Sequence, residues 1–304
     1  MGYLKKILII GSLNMDFVSH VPHLPRAGET ISSTKFQKNP GGKGANQAVA
    51  AAKLGADVAM IGKVGSDDYG ALLLNSLKQA SVDTKGIQQE ETTGMAFINV
   101  SREGENNIVL VPGANSKMKR SDIDQLRSII EESDIIIMQL EIPFEVVEYA
   151  LQLAIKLKKE VILNPAPAQT MPEELLRRVH TLIPNEIELQ LLTGMPTSTE
   201  QEIVEAALNL KSLGVKRIIV TMGEKGSYVI NDETQAHIPA YKVNPVDTTA
   251  AGDSYIAAFA VGITKGMSDQ EAAKFASKVS AMVVTKEGAQ PSLPTLEEVE
   301  KFVF

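Results

Sequence analysis

The stretch KILIIGS, residues 6–12, decides the fold, because its residues 7–10 form an unbroken apolar run that is followed by a glycine and a serine. Five later runs repeat the pattern: DVAMIGKVG (57–65), DIIIMQL (134–140), VILNPAP (161–167), TLIPNE (181–186) and RIIVTMG (217–223). Strands without polar alternation are typical of a parallel sheet covered by helices on both faces. We therefore predict an α/β protein with a doubly wound, mostly parallel sheet flanked by helices.

Helical segments separate these runs and carry recognisable start and stop signals. A capping box, in which a hydroxyl and a carboxylate satisfy amides at a helix start, is predicted at four places. The pairs are Thr170 with Glu173, Thr199 with Glu202, Ser268 with Glu271 and Thr295 with Glu298. We expect Gly55, Gly214 and Gly266 to end helices.

Two polar, turn-rich segments interrupt the alternation of strands and helices, at about residues 14–40 and 94–112. Their partly alternating pattern predicts antiparallel hairpins. Such an inserted small β sheet is a lid over a ligand crevice, an interface between subunits or a surface decoration. We expect the 304 residues to form a single domain that carries this β lid.

The composition narrows the classes of protein and of site. The absence of cysteine excludes disulfides, a thiolate nucleophile and cysteine-bound metal, and the four histidines show no metal-ligand spacing. A net charge of −7 speaks against a general nucleic-acid surface. No apolar run approaches the length of a membrane span. We expect a cytoplasmic protein that binds neither nucleic acid nor membrane.

Acids and amides follow several of the predicted strands. Asn14 and Asp16 come after the first strand, and they suit either turn chemistry or a grip on vicinal hydroxyls of a polyol. Later strands are followed by Glu141, Asn164, Asn185 and Glu188. Each of these alone is most often a helix cap or a solvent-facing residue. Together they mark the sheet edge where open α/β folds bind ligands, and Glu188 there could hold Mg²⁺ through water.

The segment NPGGKGANQA, residues 39–48, is glycine-rich and leads into a predicted helix. Gly41, Gly42 and Gly44 allow close approach of a ligand to the backbone, while Lys43, Asn46 and Gln47 supply donors. The segment is not a Walker A motif, because no Ser or Thr follows the lysine. A capped glycine turn, a phosphate loop and part of a sugar pocket are all compatible with it.

The segment VTMGEKGS, residues 220–227, places Thr221, Gly223 and Gly226 after another strand. It fits a turn passing close to a nucleotide and fits a hairpin turn equally well. A dinucleotide-binding dehydrogenase is disfavoured, because GSLNMD after the first strand lacks the GxGxxG fingerprint.

The segment VDTTAAGDS, residues 246–254, predicts a helix start at Gly252 with little side chain before it. The amides of Ala250, Ala251, Gly252 and Asp253 would then form an anion site that a triphosphate could approach closely. Asp253 is either a helix-dipole carboxylate or a general base that takes a proton from a hydroxyl attacking a γ-phosphoryl group. The dipole role alone does not explain the small residues in front of it.

These motifs, in their order and spacing over the whole chain, resemble the ribokinase family of sugar and nucleoside kinases. The likeness includes Asn14-Met15-Asp16, GGKGANQ at 41–47, Glu141, NPAP at 164–167, VTMGEKG at 220–226, DTTAAGD at 247–253 and KEGAQPS at 286–292. The resemblance implies ATP-dependent phosphorylation of D-ribose on its 5-hydroxyl. It leaves open 2-deoxyribose or another sugar or nucleoside as the substrate, and a non-catalytic sugar-binding protein is the alternative from a different class.

The resemblance also implies a role for each matching position. Asp253 would be the general base, with the amides from Ala250 to Asp253 as the anion hole. Sugar-contacting positions fall on Asn14, Asp16, Gly42, Lys43, Asn46, Glu141 and Asp253. Positions of the ATP site fall on Asn185, Thr221, Gly223, Gly226, Gly252 and Ser277.

The same resemblance implies two bound cations and a second subunit. Glu188 matches the acid that helps to place Mg²⁺. A K⁺ site that stiffens the anion hole from behind matches Asp247, Thr249, Val283, Lys286, Gly288 and Ser292. Relatives pair through their lids, so a homodimer through the β lid is expected.

Overall fold

The computed structural model describes residues 5–303 and contains two β sheets. The strands, in chain order, are β1 (Lys6–Ile10), β2 (Asn14–His20), β3 (Lys35–Gly41), β4 (Asp57–Gly65), β5 (Asp83–Glu90), β6 (Gly94–Val100), β7 (Asn106–Val111), β8 (Ile135–Met138), β9 (Glu160–Leu163), β10 (Thr181–Leu182), β11 (Arg217–Thr221), β12 (Ser227–Ile230) and β13 (Gln235–Ile238). All six apolar runs singled out in the sequence contain strands of the larger sheet.

The larger sheet has nine strands in the order β13-β12-β11-β10-β9-β8-β1-β4-β5. Every pairing from β5 to β11 is parallel, and β12 and β13 add an antiparallel edge. The parallel strands end at one edge of the sheet, where the polar residues after them gather. The predicted doubly wound, mostly parallel sheet is confirmed.

Helices cover both faces of this sheet. They are α1 (Lys43–Lys53), α2 (Asp68–Gln79), α3 (Arg120–Gln125), α4 (Arg127–Glu132), α5 (Phe144–Lys156), α6 (Glu173–Leu176), α7 (Glu186–Thr193), α8 (Glu200–Ser212), α9 (Ala251–Thr264), α10 (Asp269–Val283) and α11 (Leu296–Lys301). Within residues 5–303, none of them combines the length and the apolar character that crossing a bilayer requires.

Strand β1 shows why the apolar runs do not alternate. Ile7 and Ile9 belong to the core that contains buried residues of α1, α9 and α10. Leu8 and Ile10 belong to the core on the other face, with buried residues of α5 and α8. Both sides of the strand are therefore shielded from water, and every position along it favours an aliphatic side chain.

Three of the four predicted capping boxes are present, at Thr199, Ser268 and Thr295. The prediction at Thr170 is wrong: α6 begins at Glu173, its N-cap is Pro172, and no side chain caps it. The proline explains the difference, because the residue before a proline is disfavoured in the α region and Met171 cannot easily start the helix.

The helix ends follow the predicted glycines. Gly55, Gly214 and Gly266 come directly after the C-cap residues of α1, α8 and α9. Their φ angles are 85°, 115° and 79°, in the left-handed region that favours glycine.

The smaller sheet, the lid, has the strand order β3-β2-β6-β7. Each hairpin is antiparallel as predicted, and β2 and β6 join the two hairpins through a parallel pairing. The ring of Phe17 stacks on those of Phe36 and Phe97 and meets Tyr69 of α2 edge-on. Because side chains alternate along a strand, Asn14 and Asp16 lie on the opposite face of the lid from Phe17.

Candidate active site

Asp253 lies in the first turn of α9, at the edge of the large sheet where the parallel strands end. Its side chain is buried, and both carboxylate oxygens accept amide hydrogen bonds of 3.0 Å. Asn46 donates from Nδ2 to Oδ2, and Gln47 donates from Nε2 to Oδ1. The glycine-rich segment and the VDTTAAGDS segment therefore meet at this one carboxylate.

The backbone in front of Asp253 has an unusual conformation. Ala250 is the N-cap of α9 with a φ of 61°, and no side chain caps the helix. The first helical hydrogen bond runs from the Ser254 amide to the Ala250 carbonyl, so the amides of Gly252 and Asp253 precede the ladder. A Cβ at Gly252 would meet no heavy atom within 4 Å, so a ligand can approach these amides.

Two details of the predicted helix start are wrong. Helix α9 begins at Ala251, one residue before Gly252. The Ala251 amide donates to the Thr248 carbonyl across 3.2 Å, so it is not one of the free amides of the predicted anion hole. The left-handed Ala250 turns the chain back on Thr248 and allows this bond.

The N-terminus of α1 approaches β2 so closely that only glycine fits there. Gly42 has a φ of 87°, and a Cβ on it would lie 2.7 Å from the Asn14 amide nitrogen. A Cβ at Gly41 would lie 2.0 Å from the Asp16 carboxylate. These glycines bring the helix start against the polar end of β2.

Asn14 and Asp16 are both buried at the start of β2. Burial, together with the nearby carboxylates of Glu141 and Asp253, raises the pKa of Asp16 from 3.8 to about 7, although Lys43 opposes the shift. The Oδ1 atom of Asn14 accepts a 2.7 Å hydrogen bond from Asn115, which turns the amide NH₂ of Asn14 away from Asn115.

Lys43 and Glu141 are hydrogen-bonded neighbours at the start of α1. Glu141 accepts hydrogen bonds from the Lys43 amide at 3.1 Å and from the Ser12 hydroxyl. Burial alone would lower the pKa of the Lys43 ammonium, but four carboxylates outweigh burial and raise that pKa above its usual value. They belong to Asp253, Glu141, Glu188 and Asp16.

Glu188 and Asn185 cap α7 reciprocally. The Asn185 backbone amide donates to Glu188 Oε2 at 2.8 Å, and the Glu188 backbone amide donates to the side-chain Oδ1 of Asn185 at 2.8 Å. Burial raises the pKa of Glu188, although its bond with Asn185 and the charge of Lys43 oppose the shift. Within residues 5–303, no group of three or more His, Asp or Glu side chains is arranged to hold a metal ion.

A cleft of about 830 Å³ borders the α9 N-terminus at Ala251, Gly252 and Tyr255. Of the residues predicted to bind ATP, it is lined by Thr221, Gly223, Gly226, Gly252 and Ser277. Asn185 pairs with Thr221 in an isolated β-bridge beside it. The turn from Gly223 to Lys225 also joins β11 to β12, so this segment is both a hairpin turn and part of the cleft wall.

Comparison with known proteins identifies the family. A sequence model of the pfkB family carbohydrate kinases matches residues 4–296. The chain belongs to the pfkB family. The glycine-rich segment and the VDTTAAGDS segment both lie within the part of the chain that matches this carbohydrate kinase family.

Several relatives of this pfkB family kinase align over nearly their whole length. A ribokinase of Haemophilus influenzae is 42% identical over 301 residues, which are 98% of each chain. A deoxyribokinase of Salmonella typhi is 37% identical over 300 residues, again 98% of each chain. The structure of Arabidopsis thaliana ribokinase complexed with ribose and ATP has a TM-score of 0.90 and 34% identity, covering 99% of this chain and 100% of that one.

Asp247, the second carboxylate of the VDTTAAGDS segment, connects two loops of the pfkB family kinase. Its Oδ1 accepts from the Thr249 amide at 2.9 Å, and its Oδ2 accepts from the Gly288 amide at 2.8 Å. The Val283 carbonyl accepts from the Lys286 amide, and the buried Ser292 hydroxyl donates to the Ala289 carbonyl. The two bonds of Asp247 thus join the segment before α9 to the loop after α10, while the bonds of Lys286 and Ser292 are local to that loop.

Three residues of this site went unpredicted from the sequence. Ser12 donates to Glu141, Asn115 holds Asn14, and Gln139 donates to Gln47. A usable signal exists for Gln139, because it is an amide at the end of the apolar run DIIIMQL. Asn115 follows the second lid hairpin and carries no comparable pattern.

Proposed function

We propose that this chain catalyses the ATP-dependent phosphorylation of D-ribose on its 5-hydroxyl and yields D-ribose 5-phosphate. The observation that carries the proposal is the position of Asp253. Its buried carboxylate accepts from Asn46 and Gln47, and it stands at a helix start that borders the 830 Å³ cleft. The ribokinase relatives, at about 40% identity, support ribose as the sugar.

In the proposed reaction Asp253 acts as the general base. The 5-oxygen of ribose attacks the γ-phosphorus, its proton passes to the Asp253 carboxylate, and the bond from the γ-phosphorus to the bridging oxygen of ADP breaks. The amides of Gly252 and Asp253, which follow the small side chains of Ala250 and Ala251, stabilise the developing negative charge. Small side chains at these positions allow phosphate oxygens to reach the amides.

The sugar is proposed to bind on the lid side of Asp253. The contacts are assigned to Asn14, Asp16, Gly42, Lys43, Asn46 and Glu141. Within the described residues, the Oδ1 atom of Asn46 is buried and has no hydrogen-bond partner, which suits an acceptor for a sugar hydroxyl. Asn14 presents an NH₂ group as a donor, because Asn115 occupies its oxygen.

The nucleotide is proposed to occupy the cleft on the far side of α9, in contact with Asn185, Thr221, Gly223, Gly226, Gly252 and Ser277. When bound, Mg²⁺ neutralises charge on the transferring phosphates. Glu188 would hold it through water, which fits a cation that needs few protein carboxylates. Lys43 would add positive charge near the transferred group.

A K⁺ ion is proposed behind the anion hole. The ligands of the ion would be the Asp247 carboxylate, the Ser292 hydroxyl and the carbonyl oxygens of Thr249, Val283, Lys286 and Gly288. This all-oxygen set fits a hard monovalent cation. Asp247 already bridges the Thr249 and Gly288 amides, so a cation bound there would stiffen the loop that leads into α9.

We further propose that the chain is cytoplasmic and works as a single domain, 1–304, with lid segments at about 14–40 and 94–112. Its lid would pair with a second copy to form a homodimer. An apolar lid face of exposed side chains supports this pairing, and it consists of Phe36, Phe97, Val109 and Val111. These residues share the face of Phe17 and Met15 in the strand registers.

The second candidate function is the same transfer to 2-deoxyribose, and the Salmonella typhi deoxyribokinase relative favours it. A coupled ADP-release assay on a panel of pentoses, hexoses and nucleosides separates the two. We expect the highest kcat/KM with ribose. Higher kcat/KM with 2-deoxyribose or another compound would move the substrate assignment. Sugar binding without any turnover would indicate a non-catalytic sugar-binding protein.

A further inference from the structure

A buried chain of amides lies behind the Asp253 carboxylate. Gln47 donates from Nε2 to Oδ1 of Asp253 across 3.0 Å, and Gln139 donates from Nε2 to Oε1 of Gln47 across 2.5 Å. Gln47 and Gln139 are both 0% exposed, so water does not compete for these groups. The chain thus runs from the end of β8, through α1, to the start of α9.

The direction of these hydrogen bonds matters because a side-chain amide has two different ends. Gln47 can present either its NH₂ group or its oxygen to Asp253. Presenting the oxygen would bring two acceptors together and remove one donor from the carboxylate. Gln139 offers an NH₂ group to Gln47 Oε1, and this contact selects the orientation in which Gln47 donates to Asp253.

The surroundings of Gln139 are unfavourable for a polar side chain. Its Oε1 atom is buried and has no hydrogen-bond partner among the described residues. The four residues of β8 before it are aliphatic or methionine and fully buried. A Cβ at Gly11 would lie 2.0 Å from Oε1, so the Gln139 amide packs directly against the Gly11 backbone. An unpaired buried oxygen disfavours the folded state, so Gln139 is not explained by stability alone.

We propose that Gln139 is a positioning residue for phosphoryl transfer, which orients Gln47 and through it fixes the Asp253 carboxylate toward the attacking hydroxyl. This inference rests on the proposed function of Asp253. Gln139 itself acts one side chain away from the carboxylate. Its loss should therefore lower the rate of the chemical step and leave substrate binding almost unchanged.

The test uses Gln139→Met, which keeps the volume of the side chain and removes the donor. With the sugar that the wild type turns over, we expect kcat to fall about tenfold, while the KM values for sugar and ATP change by less than about twofold. The midpoint of thermal unfolding should change little, because the unpaired Gln139 oxygen is removed while Gln47 Oε1 loses its donor.

A double-mutant cycle tests whether Gln139 acts through Gln47. Gln47→Met should lower kcat at least as much as Gln139→Met, and the double variant should be no slower than Gln47→Met alone. Multiplying effects in the double variant would overturn the proposal. Unchanged kcat in Gln139→Met would overturn it as well, and so would a loss of kcat accompanied by a matching rise in the KM values for sugar and ATP.

Ser133→Ala is the matched control. It removes a fully buried hydroxyl just before β8, where Ser133 donates to the Ile130 carbonyl, and it should leave kcat unchanged. The wild-type assay separates the two proposals. If the wild type turns over no sugar, the proposed function fails. If the wild type is active and Gln139→Met is equally fast, only the positioning role fails.

Discussion

Asn46 and Asp253 lie 207 positions apart in the chain and share a 3.0 Å hydrogen bond between Nδ2 and Oδ2. Helices α1 and α9 pack in the same core, and their first turns meet at this bond. The glycine-rich segment and the helix-start segment therefore form a single site. Because both oxygens of this buried carboxylate accept a hydrogen bond, any replacement of Asp253 must offer two acceptors to keep both bonds.

The first prediction concerns Asp253→Asn. An asparagine has one acceptor oxygen and can satisfy only one of Asn46 and Gln47, and it cannot take a proton from a hydroxyl. We expect kcat to fall by about 10²–10⁴-fold, the range of general-base catalysis. Ribose affinity, measured by calorimetric titration, should change by less than about threefold.

Asp68→Asn is the control for this experiment, because Asp68 is an exposed carboxylate in the first turn of α2. Its effect on stability should stay within the ~0.3–1 kcal/mol of a helix-dipole interaction, and its kcat should be unchanged. Equal losses of ribose binding and turnover in Asp253→Asn would indicate that Asp253 is a structural cap.

A pH dependence of stability follows from Asp16, whose pKa is raised from 3.8 to about 7. The folded state holds this proton more tightly than the unfolded chain, so its contribution is full below the unfolded pKa and is lost as pH rises through about 7. Asp16→Asn should therefore increase the free energy of unfolding at about pH 8.5 by ~3–5 kcal/mol, since the shift is about three pKa units and one unit corresponds to about 1.4 kcal/mol.

Urea unfolding of both proteins between about pH 5 and pH 8.5 measures this difference. The gain in stability should shrink toward the acidic end, and ribose KM should rise in the variant because a carboxylate acceptor is lost. Asp57→Asn, at the exposed start of β4, serves as the control. A gain that does not vary with pH would contradict the role of the Asp16 charge.

Asn115→Leu tests how Asn14 is oriented. Asn115 donates to Asn14 Oδ1 at 2.7 Å and also pairs with the amide and carbonyl of Leu13. Without it, Asn14 can turn its oxygen toward the sugar. We expect sugar KM to rise about tenfold, with kcat at saturation less affected, and the thermal midpoint to fall because buried backbone groups of Leu13 lose their partner.

Ser116→Ala is the neighbouring control, since the exposed Ser116 hydroxyl bonds only locally to the Gly113 carbonyl. Its sugar KM should equal that of the wild type. A decrease in kcat with unchanged KM in Asn115→Leu would mean that Asn115 does not act through sugar binding.

The parts of the fold that local patterns determine were predictable from the sequence. KILIIGS and the five later apolar runs predicted strands of a sheet covered on both faces. Ser268 with Glu271 predicted a helix start. The Thr170 prediction failed because a neighbouring proline changes which residue can begin the helix. Short edge strands such as β13 lack a strong pattern and went unpredicted.

The site was predictable where a motif carries its own chemistry, and not where it depends on distant packing. Asn115 and Gln139 bond to partners that are 102 and 92 positions away. No periodicity within a short window records such a contact, although the amide at the end of DIIIMQL marks Gln139 itself as a candidate. The reciprocal capping of Asn185 and Glu188 is local, with a spacing of three residues, but it went unpredicted because the capping-box pattern is written for Ser or Thr at the N-cap.

The proposed K⁺ site predicts a cation dependence. Replacing K⁺ with Na⁺ at constant ionic strength should lower kcat several-fold, because a rigid set of carbonyl oxygens discriminates between ions of different size and hydration. Asp247→Ala should be slow in both salts, since it also loses the bonds to the Thr249 and Gly288 amides. Equal wild-type rates in K⁺, Na⁺ and choline salts would remove the proposed site.

The last prediction concerns the apolar lid face. Phe97→Lys places a charge on a residue that is 44% exposed and stacked on Phe17. A subunit interface on this face would have to bury that charge without a partner, which is strongly unfavourable. We expect sedimentation velocity to give a dimer for the wild type and a monomer for Phe97→Lys. Leu208→Lys, which changes a 42% exposed residue on α8, should remain a dimer. A wild-type monomer, or a Phe97→Lys dimer, would place any association of subunits on another surface.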